Sequence, residues 1–202
     1  MNMFLASSFA DVVHLFREFI KEDPSGKVVT FIPTASAPEL ITHYVDSAKV
    51  AFKQLGITVD ILDISHAPAT EIKKKLSKND YIYVSGGNTF YLLQELLKTG
   101  SDKLIIEQMK KGKLYIGESA GSIIMSPNIE YVAFMDNKSK APTLANFTGL
   151  NQIQQYPIPH FGHPYFNEAI EKMIEHYHSK LDLLPISNHQ ALFIRNGNIV
   201  VK

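Results

Sequence analysis

Ser119 stands between two glycines in Gly117-Glu118-Ser119-Ala120-Gly121, and its flanking residues suit a serine nucleophile. Leu114-Tyr115-Ile116 before it is a short apolar run that predicts a strand, and Ser122-Ile123-Ile124-Met125 after it opens an apolar helix. Strand, Gly-x-Ser-x-Gly turn and helix in that order make a nucleophile elbow. The glycines permit a sharp turn, and the helix aims its free N–H groups and positive dipole end at the serine. A capping serine in an ordinary strand-to-helix connection carries the same short pattern. The weight of the motif therefore rests on what partners the chain supplies.

A serine nucleophile needs a base, and the base needs an orienting group. Of the eight histidines, His14, His43, His176 and His178 fall within predicted helices, and His66 and His189 lie in loops without an evident partner. His160 ends the extended, proline-guarded segment Tyr156-Pro157-Ile158-Pro159, as a residue presented at a sheet edge would, and is the candidate base. His163 forms an H-x-x-H pair with it, but that spacing lacks a third ligand, so no metal is expected. The acids between serine and histidine are Glu130 and Asp136. Asp136 is favoured because it follows Tyr131–Met135, a possible strand; Glu130 is the alternative, and Glu118 within the elbow should point away from the nucleophile. For an oxyanion hole, the N–H of Ala120 is the expected first donor, and Gly86 or Gly87 the second.

These groups need a scaffold that brings them together. Apolar runs at Met3–Ala6, Val28–Ile32, Ile57–Ile61, Tyr81–Val84 and Leu114–Ile116 alternate with helical patterns at Phe9–Lys21, Pro38–Leu55, Thr70–Leu76, Phe90–Leu97 and Lys103–Lys111. That alternation predicts an α/β fold, a mainly parallel, flavodoxin-like sheet with helices on both faces. Ligands gather at the carboxyl ends of such strands, so Gly86-Gly87 and Gly117–Gly121 form natural walls of one site. Beyond Pro127 the chain turns polar and irregular, then gives a helix at Phe166–His178 and a C-terminal β-hairpin around Asn196-Gly197. Neither repeats nor a linker appear, and 202 residues suit one domain, 1–202. An α/β-hydrolase would need further strand–helix units between Ser119 and His160, which are only 41 positions apart.

Composition narrows the function. Lys+Arg and Asp+Glu are both 20, and no basic stripe recommends nucleic acid or an anionic membrane as partner. With no cysteine there is neither a disulfide nor a thiol nucleophile nor a thiolate metal site. The N-terminus lacks the pattern of a signal peptide, which leads to the expectation of a cytoplasmic protein. No cofactor is called for, and the sequence leaves a homo-oligomer open.

Taken together, Tyr81-Ile82-Tyr83-Val84-Ser85-Gly86-Gly87-Asn88-Thr89-Phe90, Leu114-Tyr115-Ile116-Gly117-Glu118-Ser119-Ala120-Gly121 and Pro159-His160-Phe161 resemble the serine peptidase family of dipeptidase E (α-aspartyl dipeptidase) and cyanophycinase. The resemblance runs over nearly the whole chain. It implies a fold similar to class I glutamine amidotransferases, with Ser119 as nucleophile, His160 as base, and Gly87 and Ala120 as oxyanion donors. The family's acid lies in an Asn-Asp-Met-Pro context, whose nearest analogue is Met135-Asp136-Asn137, displaced by about two residues. Dipeptidase E carries an arginine-bearing segment after its histidine; here His163-Pro164-Tyr165-Phe166-Asn167-Glu168 follows, and the arginines are Arg17 and Arg195 alone. The expectation is a serine peptidase acting on short peptides through Ser119, His160 and Asp136. An esterase or amidase with the same chemistry and a non-catalytic member of the fold are the rivals.

Overall fold

The computed structural model describes residues 1–202. Five strands make its parallel centre: β1 (Asn2–Ala6), β2 (Val28–Ile32), β3 (Thr58–Ile61), β4 (Tyr81–Val84) and β5 (Leu114–Glu118). Two C-terminal strands, β8 (Ala191–Arg195) and β9 (Asn198–Val201), extend the sheet antiparallel from β1, giving the order β3-β2-β4-β5-β1-β8-β9. Their hairpin turns at Asn196 and Gly197, both at positive φ, as an Asn-Gly turn requires.

β4 is buried at all four positions, because side chains on both of its faces meet core. Tyr81 and Tyr83 join Phe4, Phe16, Phe31 and Phe52 on one face of the sheet, while Ile82 and Val84 join Leu5, Leu93 and Ile124 on the other. Helices α1 (Val13–Ile20) and α2 (His43–Gln54) cover the aromatic face. On the opposite face lie α3 (Ala69–Lys78), α4 (Thr89–Thr99), α5 (Ser101–Lys110) and the short α6 (Ala120–Ile123). The expected α/β architecture with a mainly parallel sheet and a C-terminal strand pair is what the chain forms.

The departures are local. α2 begins at His43 rather than Pro38: residues 34–36 coil into a 3-10 turn whose Ser36 hydroxyl donates back to the Pro33 carbonyl at 2.7 Å, and residues 37–42 are not helical. Tyr131–Met135 is not a strand: Glu130–Phe134 is a 3-10 helix that buries Tyr131 and Val132 and exposes Ala133 and Phe134. A second, two-stranded sheet pairs β6 (Tyr156–Ile158) parallel with β7 (Leu183–Pro185), with α7 (Asn167–Tyr177) between them in sequence. β7 has no counterpart in the expected elements.

Candidate active site

The carboxyl ends of β1, β4 and β5 converge on Ser119. It is the hinge between β5 and α6, at φ 47° and ψ −106°, a conformation that costs a non-glycine residue about 1–3 kcal/mol and persists only where its surroundings enforce it. They do. Ser119 N–H donates to the Ala6 carbonyl at 2.9 Å, and its own carbonyl accepts from Ser122 N–H and Ile123 N–H at 2.8 and 2.9 Å. The flanking glycines are needed for close approach: a Cβ on Gly121 would overlap the Val84 carbonyl, and one on Gly117 would overlap the Gly121 carbonyl. Glu118 turns to the aromatic face, where its carboxyl group accepts from the Tyr83 hydroxyl and from Phe9 N–H, the latter at 3.0 Å. Burial pushes its pKa up to about 7.

His160 arrives from the small sheet. Two residues past β6, it has φ 64°, and its N–H donates to the Ser7 hydroxyl at 3.1 Å; that hydroxyl in turn donates to the Ile186 carbonyl at 2.9 Å. Ser7 thus ties the end of β1 to the segments following both β6 and β7. The imidazole stacks on Phe166, with centroids 4.6 Å apart and planes at 16°. Its Nε2 lies 3.0 Å from Ser119 Oγ.

The third position holds an amide. His160 Nδ1–H donates to Asn188 Oδ1 at 2.8 Å, which leaves Nε2 unprotonated and facing the Ser119 hydroxyl. Asn188 comes from the loop after β7, held by Gln190, whose N–H donates to the Ser187 carbonyl and whose side chain accepts from Ser187 N–H. Parallel β6 and β7 therefore deliver base and orienter from neighbouring strand ends. The expectation of Asp136 behind His160 is corrected. Because Glu130–Phe134 is a 3-10 helix and not a strand, Asp136 meets the start of α4, where its Oδ2 accepts from Thr89 N–H at 2.7 Å. Glu130, the alternative, is paired with Lys138 at 3.0 Å on the surface. Desolvation pushes Asp136 up to about 6. Burial also holds His160 below the ordinary histidine value of 6.5; the Asn188 contact opposes that shift and His163 adds to it.

Backbone N–H groups lie beside the serine and across from it. Ala120 opens α6, so its N–H has no intrahelical acceptor. Gly86 lies directly across from Ser119: a Cβ placed on it would sit 3.2 Å from Ser119 Cβ. Gly87, at φ 130°, packs so tightly on the Ala35–Ser36 turn that a side chain there would overlap it. Neither Gly86 N–H nor Gly87 N–H has a hydrogen-bond acceptor. No group of three or more His, Cys, Asp or Glu side chains is arranged to hold a metal ion.

With this geometry in place, comparison with known proteins settles the family: the model of peptidase family S51 matches residues 3–202. The chain belongs to peptidase family S51. It is 51% identical over 201 residues to an uncharacterized peptidase of Listeria monocytogenes, covering 100% of this chain and 98% of that one. To an uncharacterized peptidase of Pasteurella multocida it is 50% identical, covering 97% of that protein. Peptidase E of Salmonella arizonae is more distant, 32% identical over 134 residues, which are 65% of this chain and 54% of that protein. A solved Listeria monocytogenes structure, described as that of a putative peptidase E protein, superposes with a TM-score of 0.96 at 51% identity, covering 100% of this chain and 97% of that one. A peptidase from an acI-B1 actinobacterium shares the fold, with a TM-score of 0.72 at 21% identity over 100% of this chain and 86% of that one.

The structure brings together Ser119 and His160, both expected from the sequence, and places beside them Asn188, Ser7 and Phe166, which the sequence did not single out. The missed signal was a parallel between two segments. Leu183-Leu184-Pro185-Ile186 is a short apolar run ending in polar Ser187-Asn188, just as Tyr156-Pro157-Ile158-Pro159 ends in His160.

Proposed function

We propose that this S51 member is a serine peptidase that cleaves short peptides through Ser119, His160 and Asn188. The observation carrying this reading is the continuous chain from Ser119 Oγ to His160 Nε2 at 3.0 Å and from Nδ1 to Asn188 Oδ1 at 2.8 Å. In the acylation step the Ser119 oxygen bonds to the scissile carbonyl carbon while His160 Nε2 takes the hydroxyl proton. The carbonyl oxygen becomes an oxyanion held by the N–H of Ala120 and that of Gly87 or its neighbour Gly86. Collapse of the tetrahedral intermediate breaks the C–N bond, and His160 returns its proton to the departing amine. Water, activated by the same imidazole, then hydrolyses the acyl-serine. An asparagine orients the ring and fixes its tautomer, as a triad requires, without adding charge.

The substrate side chain next to the scissile bond is neutral. Recognition of a carboxylate favours the bidentate fork of an arginine. Arg195 lies at the opposite end of β1 from the site, pairing with Asn2, and its guanidinium donates to the Phe19 carbonyl; Arg17 sits on α1. Turnover of a dipeptide panel by the wild type and Ser119→Ala tests the proposal. Cleavage of neutral dipeptides in preference to aspartyl ones, abolished in Ser119→Ala, is expected. Turnover that survives Ser119→Ala would refute the serine mechanism, and a preference for aspartyl dipeptides would refute the substrate class.

A further inference from the structure

The Gly86-Gly87 arm is placed by what lies on either side of it. At its start, Ser85 N–H donates to the Ile32 carbonyl at 3.0 Å, and the Ser85 hydroxyl donates to the Gly86 carbonyl at 3.0 Å. Past it, Asn88 N–H donates to the Ala35 carbonyl at 2.8 Å. The remaining anchors come from one distant segment: Asp136 Oδ2 accepts from Thr89 N–H at 2.7 Å, and the Asn88 amide donates to the Asn137 carbonyl at 3.2 Å. The first turn of α4 already has its own cap, Asn88 Oδ1 accepting from Tyr91 N–H at 3.0 Å. Asp136 therefore adds something other than helix capping. It fastens Thr89, the second residue after the arm, to the segment following the Glu130–Phe134 turn, 47 positions away in sequence.

We infer that Asp136 is a positioning residue for the oxyanion arm, holding the Gly86-Gly87 N–H groups against Ser119 through Thr89. This rests on the serine-peptidase reading above. It assigns a carboxylate near the site a role outside the proton relay, and the two roles make opposite predictions. A relay acid holds the imidazole in the tautomer that can take the serine proton, and replacing such an acid by its amide lowers kcat by about 10⁴. An anchor depends only on an oxygen that accepts from Thr89 N–H, and asparagine retains one. An oxyanion donor acts in the transition state, so its misplacement lowers kcat and leaves KM near its original value.

The test measures kcat and KM for four variants of the full chain on a short peptide or aryl ester. Asp136→Ala is expected to lose at least tenfold in kcat with KM within about threefold. Asp136→Asn should stay within about threefold of wild type in both. Thr89→Pro deletes the donor instead of the acceptor. Proline is tolerated at the first position of a helix, and Asn88 already has the extended backbone that a following proline demands, at φ −79° and ψ 116°. It should match Asp136→Ala, so the case holds if the alanine variant does not fold. An Asp136→Asn loss as deep as that of Asp136→Ala would overturn the proposal, and so would a Thr89→Pro enzyme with wild-type kcat. Ser119→Ala separates the two levels. Turnover surviving in it refutes the serine reading and the proposal together, whereas its loss alongside a wrong Asp136 pattern refutes the proposal alone.

Discussion

Removing the Asn188 amide isolates what the third residue contributes. In Asn188→Ala the Nδ1–H of His160 loses its 2.8 Å acceptor while the ring keeps its stacking on Phe166 and its backbone tie to Ser7. A part-buried donor left without a partner costs about 1–3 kcal/mol, and the freed ring can also place its proton on Nε2, the nitrogen that must accept from Ser119. Taking about 2 kcal/mol, kcat/KM should fall roughly 30-fold at neutral pH. Asn188→Asp keeps the acceptor and adds an anion, which favours the imidazolium and raises the His160 pKa. Burial holds the wild-type value below 6.5, so activity should fall on the acid side only below that pH, and the aspartate variant should lose activity at a correspondingly higher pH. The assay is a pH profile of kcat/KM for wild type and both variants. An alanine variant within twofold of wild type, or an aspartate variant with an unmoved acid limb, would refute the assignment of Asn188.

Two further outcomes follow from groups near the site. Glu118 has its folded pKa raised from 4.5 to about 7, so the folded state holds its proton more tightly than the unfolded chain does, and stability falls as pH rises across that interval, by up to about 3 kcal/mol. Glu118→Gln keeps an acceptor for Phe9 N–H, and urea unfolding at pH 5 and pH 8 should show a smaller loss than in wild type, the remainder coming from Asp136; an equal loss would show that Glu118 is not its source. Ser7→Ala removes the acceptor of His160 N–H and the donor to the Ile186 carbonyl, and should lower kcat/KM about tenfold or more in a protein with unchanged circular dichroism; unaltered kinetics would mean that Ser7 does not set the position of His160.

The legibility of this chain follows the range of its interactions. The sheet was readable because buried strands such as Val28–Ile32 and Tyr81–Val84 need continuous apolar runs, and Ser119 because its turn demands glycines at fixed spacing. His160 was readable from the proline-guarded run before it. Asn188 was not, since an amide leaves no charge signature and its meaning depends on β7 lying parallel to β6, a pairing between strands of three residues each. Asp136 misled for a similar reason. Tyr131–Met135 has strand-like composition, yet packing buries adjacent residues Tyr131 and Val132, a helical pattern that local sequence does not reveal. The arm at Gly86-Gly87 was visible as a turn, but its tie to Asp136 spans too much sequence for any local signal.

The most direct measurement is active-site labelling with a fluorophosphonate, read by mass spectrometry of the modified peptide. A serine activated by an imidazole should take one adduct per chain, at Ser119, with labelling slowed by at least 100-fold in His160→Ala and less severely in Asn188→Ala. An adduct on another residue, or labelling of folded wild-type protein no faster than that of His160→Ala, would contradict the assignment of Ser119 and His160 as nucleophile and base.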